Sequence, residues 1–280
     1  MIILFVSLLY GFTVAILREF NISLGFFPTV FIYALLLTSV ILITEVFKKK
    51  HPSTKQKRNT HEQVRGIVCI SLFSALAFIV SFCFPIKVQF LTFDAKDSII
   101  AIGGMFFGPM AALSMSVLVP FLEFLSFSDT GIYGLIMNFL SSAAFSVTAS
   151  LVYKYKRKIS GAVLGLAAAV IATVTVMMVA NIFVTPFYMG VPRDTVIVLI
   201  PTLLLPFNAT KSVLNAALVL LLYKPFTTAL RATGLVPKKE SPSSSPLVTV
   251  ITVISALLLL FAAIAVYIFV LGGTFGFLGK

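Results

Sequence analysis

Residues 204–224 read LLPFNATKSVLNAALVLLLYK, a nearly continuous apolar run that holds one lysine in its interior. A helix needs roughly 20 mainly apolar residues to cross the hydrocarbon core of a bilayer, and this run is long enough to do so. Pro206 favours a helix start at this point. Asn208 and Lys211 are three residues apart and therefore share one helix face near that start. The stretch predicts a membrane-spanning helix that presents polar groups near one end.

Runs of the same kind recur along the chain. Hydrophobic residues make up 59% of the 280 residues and charged residues 11%, which leaves too little polar surface for a water-soluble globule of this size. Alternating strand patterns of the outer-membrane type are absent from the sequence. The sequence therefore predicts an all-α fold, a polytopic membrane helical bundle. The predicted helices cover residues 1–17 and 26–47, then 66–86, 97–107, 110–127, 131–153, 161–187 and 206–224, with a short helix at 194–205 before the last of these, and finally 247–271.

These helices fall into three groups that polar linkers separate. We expect an N-terminal transmembrane helix pair at 1–47, a basic linker at 48–65, a six-helix core at 66–231, a second linker at 232–246 and a C-terminal transmembrane helix at 247–280. Within the core, Gly108 and Pro109 interrupt one apolar stretch and predict a short turn between two helices. The segment KVQFLTFDAKD, residues 87–97, is predicted to be a polar loop.

The basic residues are concentrated in the linkers. Most of the 21 Lys and Arg residues sit in three segments, residues 48–65, 154–158 and 224–239. This placement argues against a nucleic-acid-binding face, despite the net charge of +12. The positive-inside rule instead puts all three segments in the cytoplasm. It follows that the N-terminus is expected in the cytoplasm and the C-terminus outside a cell membrane that the chain crosses several times.

Patterns for catalysis or metal binding are weak in this sequence. His51 and His61 both lie in the basic linker, so neither a histidine-based triad nor a metal cluster is predicted in the core. The tail GTFGFLGK has Thr274 where a phosphate-binding loop needs its first glycine. Cys69 and Cys83 fall in one apolar helix, where a disulfide between them is implausible. We therefore predict a protein that is not an enzyme and that uses no metal or cofactor.

A few polar residues inside the apolar runs are candidates for ligand binding. One basic residue, Lys211, lies inside a predicted span, and it could bind a ligand there. The alternative is that its side chain extends the ammonium group to the membrane surface. Asn138, Asn181 and Asn208 are predicted near the same membrane side, where their amides would suit a heterocycle edge or a polyol. Hydrogen bonding between helices is the alternative for each asparagine. The rings that could add to such a pocket are Phe93, Tyr133, Phe183, Phe187 and Tyr188.

Acidic residues form a second group of candidates. Asp94 and Asp97 stand at the start of a predicted helix, where carboxylates interact favourably with the helix N-terminus, so capping is one explanation for them. Glu123 lies near the end of its span and could either line a pocket or reach the surface. The sequence leaves both alternatives open.

Five motifs follow one another between about residues 66 and 231. They are ISLFSALAF in the first core helix, LTFDAKD leading into IGGMFFGP, GLIMNFL, NIFVTPFY, and LLPFNATK followed by LLLYKP. In this order they resemble the substrate-binding S components of energy-coupling factor (ECF) vitamin transporters, most closely the riboflavin-specific type. The helices outside the core, at both ends of the chain, are not part of this resemblance.

The resemblance implies a membrane subunit that binds riboflavin or FMN from outside and pairs with a transmembrane T component and two cytoplasmic ATPases. It implies that Asn181, Asn208 and Lys211 form hydrogen bonds with the ribityl chain and the ring edges. Gly134 and Asn138 match the family's GxxxN pattern, which lies near the ring site. It also implies a loop over the ligand that includes Thr92, Phe93, Asp94 and Asp97. Ser71 and Ala75, small residues four apart, would let the T component approach closely.

The sequence is also compatible with other functions. The same family could take another vitamin or a nucleobase-like ligand, since the family's Lys-Asn pair in the third core helix is replaced by Val119 and Pro120. A stand-alone secondary transporter would need more ionisable residues within the spans than this sequence offers. An intramembrane enzyme would need His, Asp or Glu clustered at one depth.

A reporter fused after Lys280 tests the predicted topology. We expect an extracellular C-terminus, so alkaline phosphatase fused there should be active and green fluorescent protein should be dark. The same fusions after Arg157, in a segment predicted to be cytoplasmic, should give the opposite pattern and serve as the control. A cytoplasmic signal after Lys280 would contradict the topology and remove one terminal helix from the predicted set.

Overall fold

The computed structural model describes residues 60–83, 85–88, 91–127, 130–233 and 246–269. They belong to one unit of the chain, Arg58–Lys280. The predicted N-terminal helix pair at 1–47 and most of the basic linker at 48–65 lie outside the described residues. The first described helix begins at Thr60, so it includes the end of that predicted linker.

The described chain is almost entirely helical. Its helices are α1 (Thr60–Cys83), α2 (Lys96–Phe107), α3 (Pro109–Ser126), α4 (Gly131–Tyr155), α5 (Ile159–Met189), α6 (Arg193–Leu199), α7 (Leu205–Ala232) and α8 (Pro246–Phe269). A π-helical turn, Ile200–Leu204, joins α6 to α7. Among the described residues, five helical segments are long and apolar enough to cross a membrane: α1, α3, α4, α5, and the continuous stretch Arg193–Leu230. The predicted helical membrane bundle is confirmed.

The last core helix differs from the prediction. A separate short helix at 194–205 was expected to end at Pro206, but the chain stays helical from Arg193 to Ala232. In the π-helical turn, the Leu205 amide donates to the Ile200 carbonyl, five residues back. Pro206 directly follows this turn, inside the continuous helical stretch, and its ring supplies no amide hydrogen to the preceding turn. The helix also continues through Pro225, beyond the predicted end at residue 224.

A β-hairpin replaces part of the loop that the sequence predicts before α2. Strands β1 (Ile86–Val88) and β2 (Leu91–Phe93) pair antiparallel, with Ile86 opposite Phe93 and Val88 opposite Leu91. Strands of three residues are too short to show the alternation of polar and apolar residues that reveals a strand. The hairpin was therefore not predicted.

The turn between α2 and α3 confirms the expectation from Gly108 and Pro109. Gly108 has a φ of 102°, a conformation that glycine adopts without steric cost. Pro109 is the first residue of α3, where its ring favours the helical φ. The two residues reverse the chain without a longer loop.

Helix α2 lies at the centre of the bundle. It contacts α1, α3, α4 and α7, and Ile99, Ile100, Ala101 and Ile102 in its middle are all buried. A helix buried on all sides is hydrophobic all round, as this one is after its first turn. Cys69 and Cys83 of α1 are free thiols, as expected.

Gly104 allows α2 to approach its neighbours closely. A Cβ atom at this position would lie against the Ser150 side chain of α4 and 2.6 Å from the Ala112 Cβ of α3. The contacts come from side chains near their backbones, which cannot move aside as the end of a long side chain could. The packing of three helices therefore depends on this glycine.

We expect Gly104→Val to destabilise the folded protein by about 1–3 kcal/mol, because the added atoms overpack a close helix contact. Thermal unfolding in detergent measures the change. Gly66→Ala on α1 is the control, since a Cβ there meets nothing within 4 Å and alanine favours a helix by up to about 1 kcal/mol over glycine. An equal stability of Gly104→Val and the wild type would contradict the close packing.

Candidate functional site

A cavity of about 480 Å³ opens among the ends of several helices. The hairpin, the start of α2, the ends of α1, α3 and α5, and the starts of α4 and α7 contribute to its wall. Its polar lining consists of Ser81, Thr92, Asp94, Lys96, Glu123, Thr130, Asn138, Ser141, Asn181, Thr185, Asn208 and Lys211, with Tyr133 and Tyr188. This volume suits a small organic ligand.

The cavity and the basic segments lie at opposite ends of the same helices. Asn138 is in the second turn of α4, whereas Lys154 is in its last turn. In α5, which follows α4, the order is reversed: Lys158 precedes the start of the helix and Asn181 lies toward its end. In α7, Lys211 lies near the start and Lys224 further along. The predicted convergence of the polar residues on one side of the bundle is therefore present in the fold.

Lys211 is buried and paired. Only 6% of it is exposed, and its Nζ donates to Asp94 Oδ2 at 2.9 Å and to the Thr92 carbonyl at 3.4 Å. A lysine that extended to the membrane surface would have an exposed ammonium group, so that alternative is wrong. The ion pair joins the start of α7 to the segment between β2 and α2.

Asp94 lies before α2, outside the helices, and carries two ion pairs through one oxygen. Its Oδ2 is 3.5 Å from Lys96 Nζ as well as 2.9 Å from Lys211 Nζ. Burial raises the pKa of the Asp94 carboxyl, but the two ammonium groups outweigh this effect and hold the pKa below its usual value. Asp94 is therefore a carboxylate at neutral pH.

Lys96 and Glu123 form a second buried ion pair, which sequence reasoning missed. Lys96 Nζ lies 2.6 Å from Glu123 Oε2, and Lys96 is 1% exposed. Glu123 also accepts hydrogen bonds from Ser81 Oγ at 2.5 Å and from Asn138 Nδ2 at 3.2 Å. Of its two possible roles, Glu123 therefore lines the pocket. The position of Lys96 between Asp94 and Asp97 in the motif FDAKD was the signal that could have identified it.

Asp97 supports the site from behind the cavity wall. Ser142 Oγ and Ser141 Oγ of α4 both donate to its carboxylate, and it is not among the residues that line the cavity. No side-chain hydrogen bond caps the start of α2, so capping by hydrogen bond does not explain either aspartate. Asp97 instead ties α2 to α4.

Asn215 is a further residue that the sequence analysis missed. Its Oδ1 accepts from the Ser98 amide at 2.9 Å, and its Nδ2 donates to the Asp94 carbonyl at 3.1 Å. It lies four residues after Lys211, on the same face of α7. The spacing was a usable signal, since it extends the polar face that Asn208 and Lys211 begin.

The three asparagines of the cavity use their amides differently. Asn181 Nδ2 donates to the Met177 carbonyl at 2.7 Å and Asn208 Nδ2 to the Leu204 carbonyl at 2.8 Å. Within the part of the chain that the structure describes, the hydrogen bonds of these two amides stay within the continuous helical segment that carries each residue. Asn138 instead bonds across helices to Glu123. Asn181 and Asn208 thus reach the cavity without holding helices together.

Of the predicted site residues, Thr92, Asp94, Gly134, Asn138, Asn181, Asn208 and Lys211 line the cavity, whereas Phe93 and Asp97 do not. The Phe93 ring packs on the Phe207 ring at 4.4 Å and on the Tyr267 ring at 5.5 Å, between centroids. The prediction that Phe93 adds a ring surface to the pocket does not match this position. Phe93 instead belongs to a buried apolar cluster with Val88, Leu203, Phe207 and Tyr267, a contact between distant segments that no local pattern specifies.

The other predicted rings are also divided. Tyr133 and Tyr188 line the cavity with their centroids 6.5 Å apart. Phe183 lies under the Arg193 guanidinium, and Phe187 is 38% exposed. The cavity therefore offers two tyrosine rings beside a mixed set of amides, hydroxyls and paired charges.

This arrangement suits binding of a polar, uncharged ligand with ring character. Asp94 and Glu123 neutralise Lys96 and Lys211, so the ionic groups fix the wall in place while the amides remain for hydrogen bonds. In the described residues there is no group of three or more His, Cys, Asp or Glu side chains that could hold a metal ion. Ser71 and Ala75 lie on the exposed side of α1, away from this cavity.

Known proteins are similar to this chain over most of its core. The profile of the family described as "ECF transporter, substrate-specific component" matches residues 65–223. The riboflavin transporter RibU of Staphylococcus aureus (strain TCH60) is 31% identical over 179 residues, which cover 61% of this chain and 94% of that protein. A solved structure described as "Structure and mechanism of the S component of a bacterial ECF transporter" shares 31% identity, with a TM-score of 0.52, over 60% of this chain and 99% of that one.

These matches agree with the resemblance that the sequence motifs indicate, and the family match alone covers more than half of the 280 residues. Helix α8 lies beyond its end at residue 223. With five helical segments able to cross a membrane, the chain is a multi-pass membrane protein, and it belongs to the family of substrate-specific S components of ECF transporters.

Proposed function

We propose that this S component binds riboflavin with high affinity and delivers it to an ECF importer. The observation that carries the proposal is the cavity lined by Asn138, Asn181, Asn208 and Lys211 at the helix ends opposite the basic segments. The positive-inside rule places those basic segments in the cytoplasm, so the cavity would open to the outside. A relative at 31% identity that carries the name of a riboflavin transporter supports this ligand.

The chemistry of riboflavin fits the cavity wall. Its flat heterocycle carries hydrogen-bond donors and acceptors along one edge, and its ribityl chain carries hydroxyl groups. Asparagine amides can both donate and accept, so Asn181 and Asn208 can serve either part of the ligand. Tyr133 and Tyr188 offer ring faces for the heterocycle. Riboflavin would be the transported ligand and not a cofactor, and we assign no catalytic role to any residue.

Riboflavin fits this wall better than FMN does. Both lysines that line the described cavity are already paired with carboxylates, Lys96 with Glu123 and Lys211 with Asp94. The phosphate of FMN would have to compete for one of these ammonium groups and leave a buried carboxylate without its partner. We therefore propose riboflavin as the preferred ligand of the two.

Transport would require partners, as it does for the family in general. We propose that a transmembrane T component and two cytoplasmic ATPases bind this chain and power uptake. Ser71 and Ala75 are exposed on α1, and small residues four apart permit a close approach between membrane helices. That face of α1 is the proposed contact with the T component.

Binding to the purified protein tests the ligand. We expect the protein in detergent to quench riboflavin fluorescence with a dissociation constant of about nanomolar magnitude, roughly −12 kcal/mol in binding free energy. Thiamine, biotin and adenine serve as competitors that should not displace riboflavin. A folded sample that does not quench riboflavin, or that prefers one of the competitors, would contradict the proposed ligand.

Lys211→Ala tests the contribution of the buried ion pair to binding. The variant removes a charged hydrogen-bond donor and leaves Asp94 with fewer partners, so we expect affinity to fall by about 1.5–3 kcal/mol, roughly 12- to 140-fold. Fluorescence titration measures the change. Lys224→Ala, on the exposed part of the same helix, is the matched control and should bind as the wild type does. Equal affinities of both variants would remove Lys211 from the site.

A further inference from the structure

Strand β2 lies between the cavity and helix α8. Thr92 lines the cavity, and its carbonyl accepts a hydrogen bond from Lys211 Nζ at 3.4 Å. The next side chain, Phe93, points to the other face of the strand and meets Tyr267 of α8 edge to face, at 5.5 Å and 89°. One wall of the cavity is therefore supported from behind by a residue of α8.

The contact is part of a small apolar cluster. Its buried members are Val88, Phe93, Leu203, Phe207 and Tyr267, which we call the hairpin cluster. Phe207 also lines the cavity and packs on Phe93 at 4.4 Å. The hairpin cluster thus joins the hairpin, the start of α7 and α8 directly beside the cavity.

The hairpin needs such support because it is too small to be stable alone. Its two strands have three residues each, and an isolated two-stranded hairpin is marginally stable at best in water. The pairing itself supplies few hydrogen bonds, so burial of the side chains behind the strands decides how firmly the hairpin is held. Tyr267 takes part in that burial, since its ring packs edge to face on Phe93, which is 3% exposed.

Among its described residues, helix α8 buries one large side chain, that of Tyr267. Its buried described side chains are Ala256, Ala263 and Tyr267, whereas large apolar residues such as Leu258 and Phe261 are exposed. Small residues at a helix contact permit close approach, which here is to α7. Since α8 lies beyond the family match at residues 65–223, its contact with the hairpin is a feature added to the common core.

We propose that α8 clamps the hairpin wall of the cavity and that Tyr267 is a positioning residue that slows release of the ligand. The clamp rests on the proposed function for its effect on riboflavin, but the contact with the hairpin does not depend on which ligand is bound. Loss of the ring would let the hairpin move away from the cavity more often. The ligand would then leave faster, while its approach through the same opening would change little.

Stopped-flow fluorescence of riboflavin with the full-length protein tests the clamp. Tyr267→Ala should raise the dissociation rate by about tenfold, with an association rate within about threefold of the wild type. Tyr267→Phe keeps the ring and should restore slow release. Phe261→Ala on the exposed face of the same helix is the matched control and should release riboflavin as the wild type does. A residue that only stabilised the fold would lower the fraction of active protein and leave the dissociation rate unchanged, which would overturn the proposal.

A ligand-free measurement separates the clamp from the identity of the ligand. Hydrogen exchange of peptides that cover residues 86–93 should be faster in Tyr267→Ala than in the wild type, and unchanged in Phe261→Ala. If Tyr267→Ala does not fold, Tyr267→Leu keeps most of the apolar volume and should still show faster exchange. A wild type that bound no riboflavin would contradict the proposed function, whereas the exchange rates would still support or overturn the clamp. Unchanged exchange in a folded Tyr267 variant would overturn it.

Discussion

The buried ion pairs of Lys211 with Asp94 and of Lys96 with Glu123 are the interactions on which the rest of the site depends. A charge in the interior of a membrane protein is unfavourable unless a partner and hydrogen bonds compensate it. Here each ammonium group meets a carboxylate within 3 Å, and serines and asparagines provide further hydrogen bonds. To satisfy these groups, α1, α2, α3, α4, α7 and the segment after β2 must all come together at one end of the bundle.

The same network explains why the cavity can be preformed. Its charged groups neutralise one another and hold the wall, so the ligand need not supply a charge to complete it. Asn181 and Asn208 are each anchored within the continuous helical segment that carries them, which limits the conformational entropy that binding must remove. A site of this kind favours a neutral ligand with many hydrogen-bonding groups, which agrees with a role in capturing a vitamin at low concentration.

Helix α8, which lies beyond the family match, packs beside this site without contributing to its lining. Helix α8 contributes no residue to the large cavity, yet its Tyr267 packs on the back of the strand that forms part of the wall. A chain can in this way adjust the lifetime of a complex through a residue that never touches the ligand. The small size of the hairpin makes it the element most responsive to such support.

Within the described residues, the sequence alone determined the helical bundle, the Gly108–Pro109 turn and the end of the bundle where the polar residues gather, because these follow from run length, local backbone preferences and the direction of each helix. It did not determine the bounds of the last core helix, which continues from α6 through a π-helical turn. Only the tertiary structure decided which charges pair, that Glu123 and Lys96 face the cavity, and that Phe93 faces away from it. The partners Asp94 and Lys211 are 117 residues apart, and Lys96 and Glu123 are 27 apart. No local pattern specifies such pairs. A hairpin with strands of three residues is likewise too short for its alternation to be read, so the side on which Phe93 lies was fixed by packing against α7 and α8.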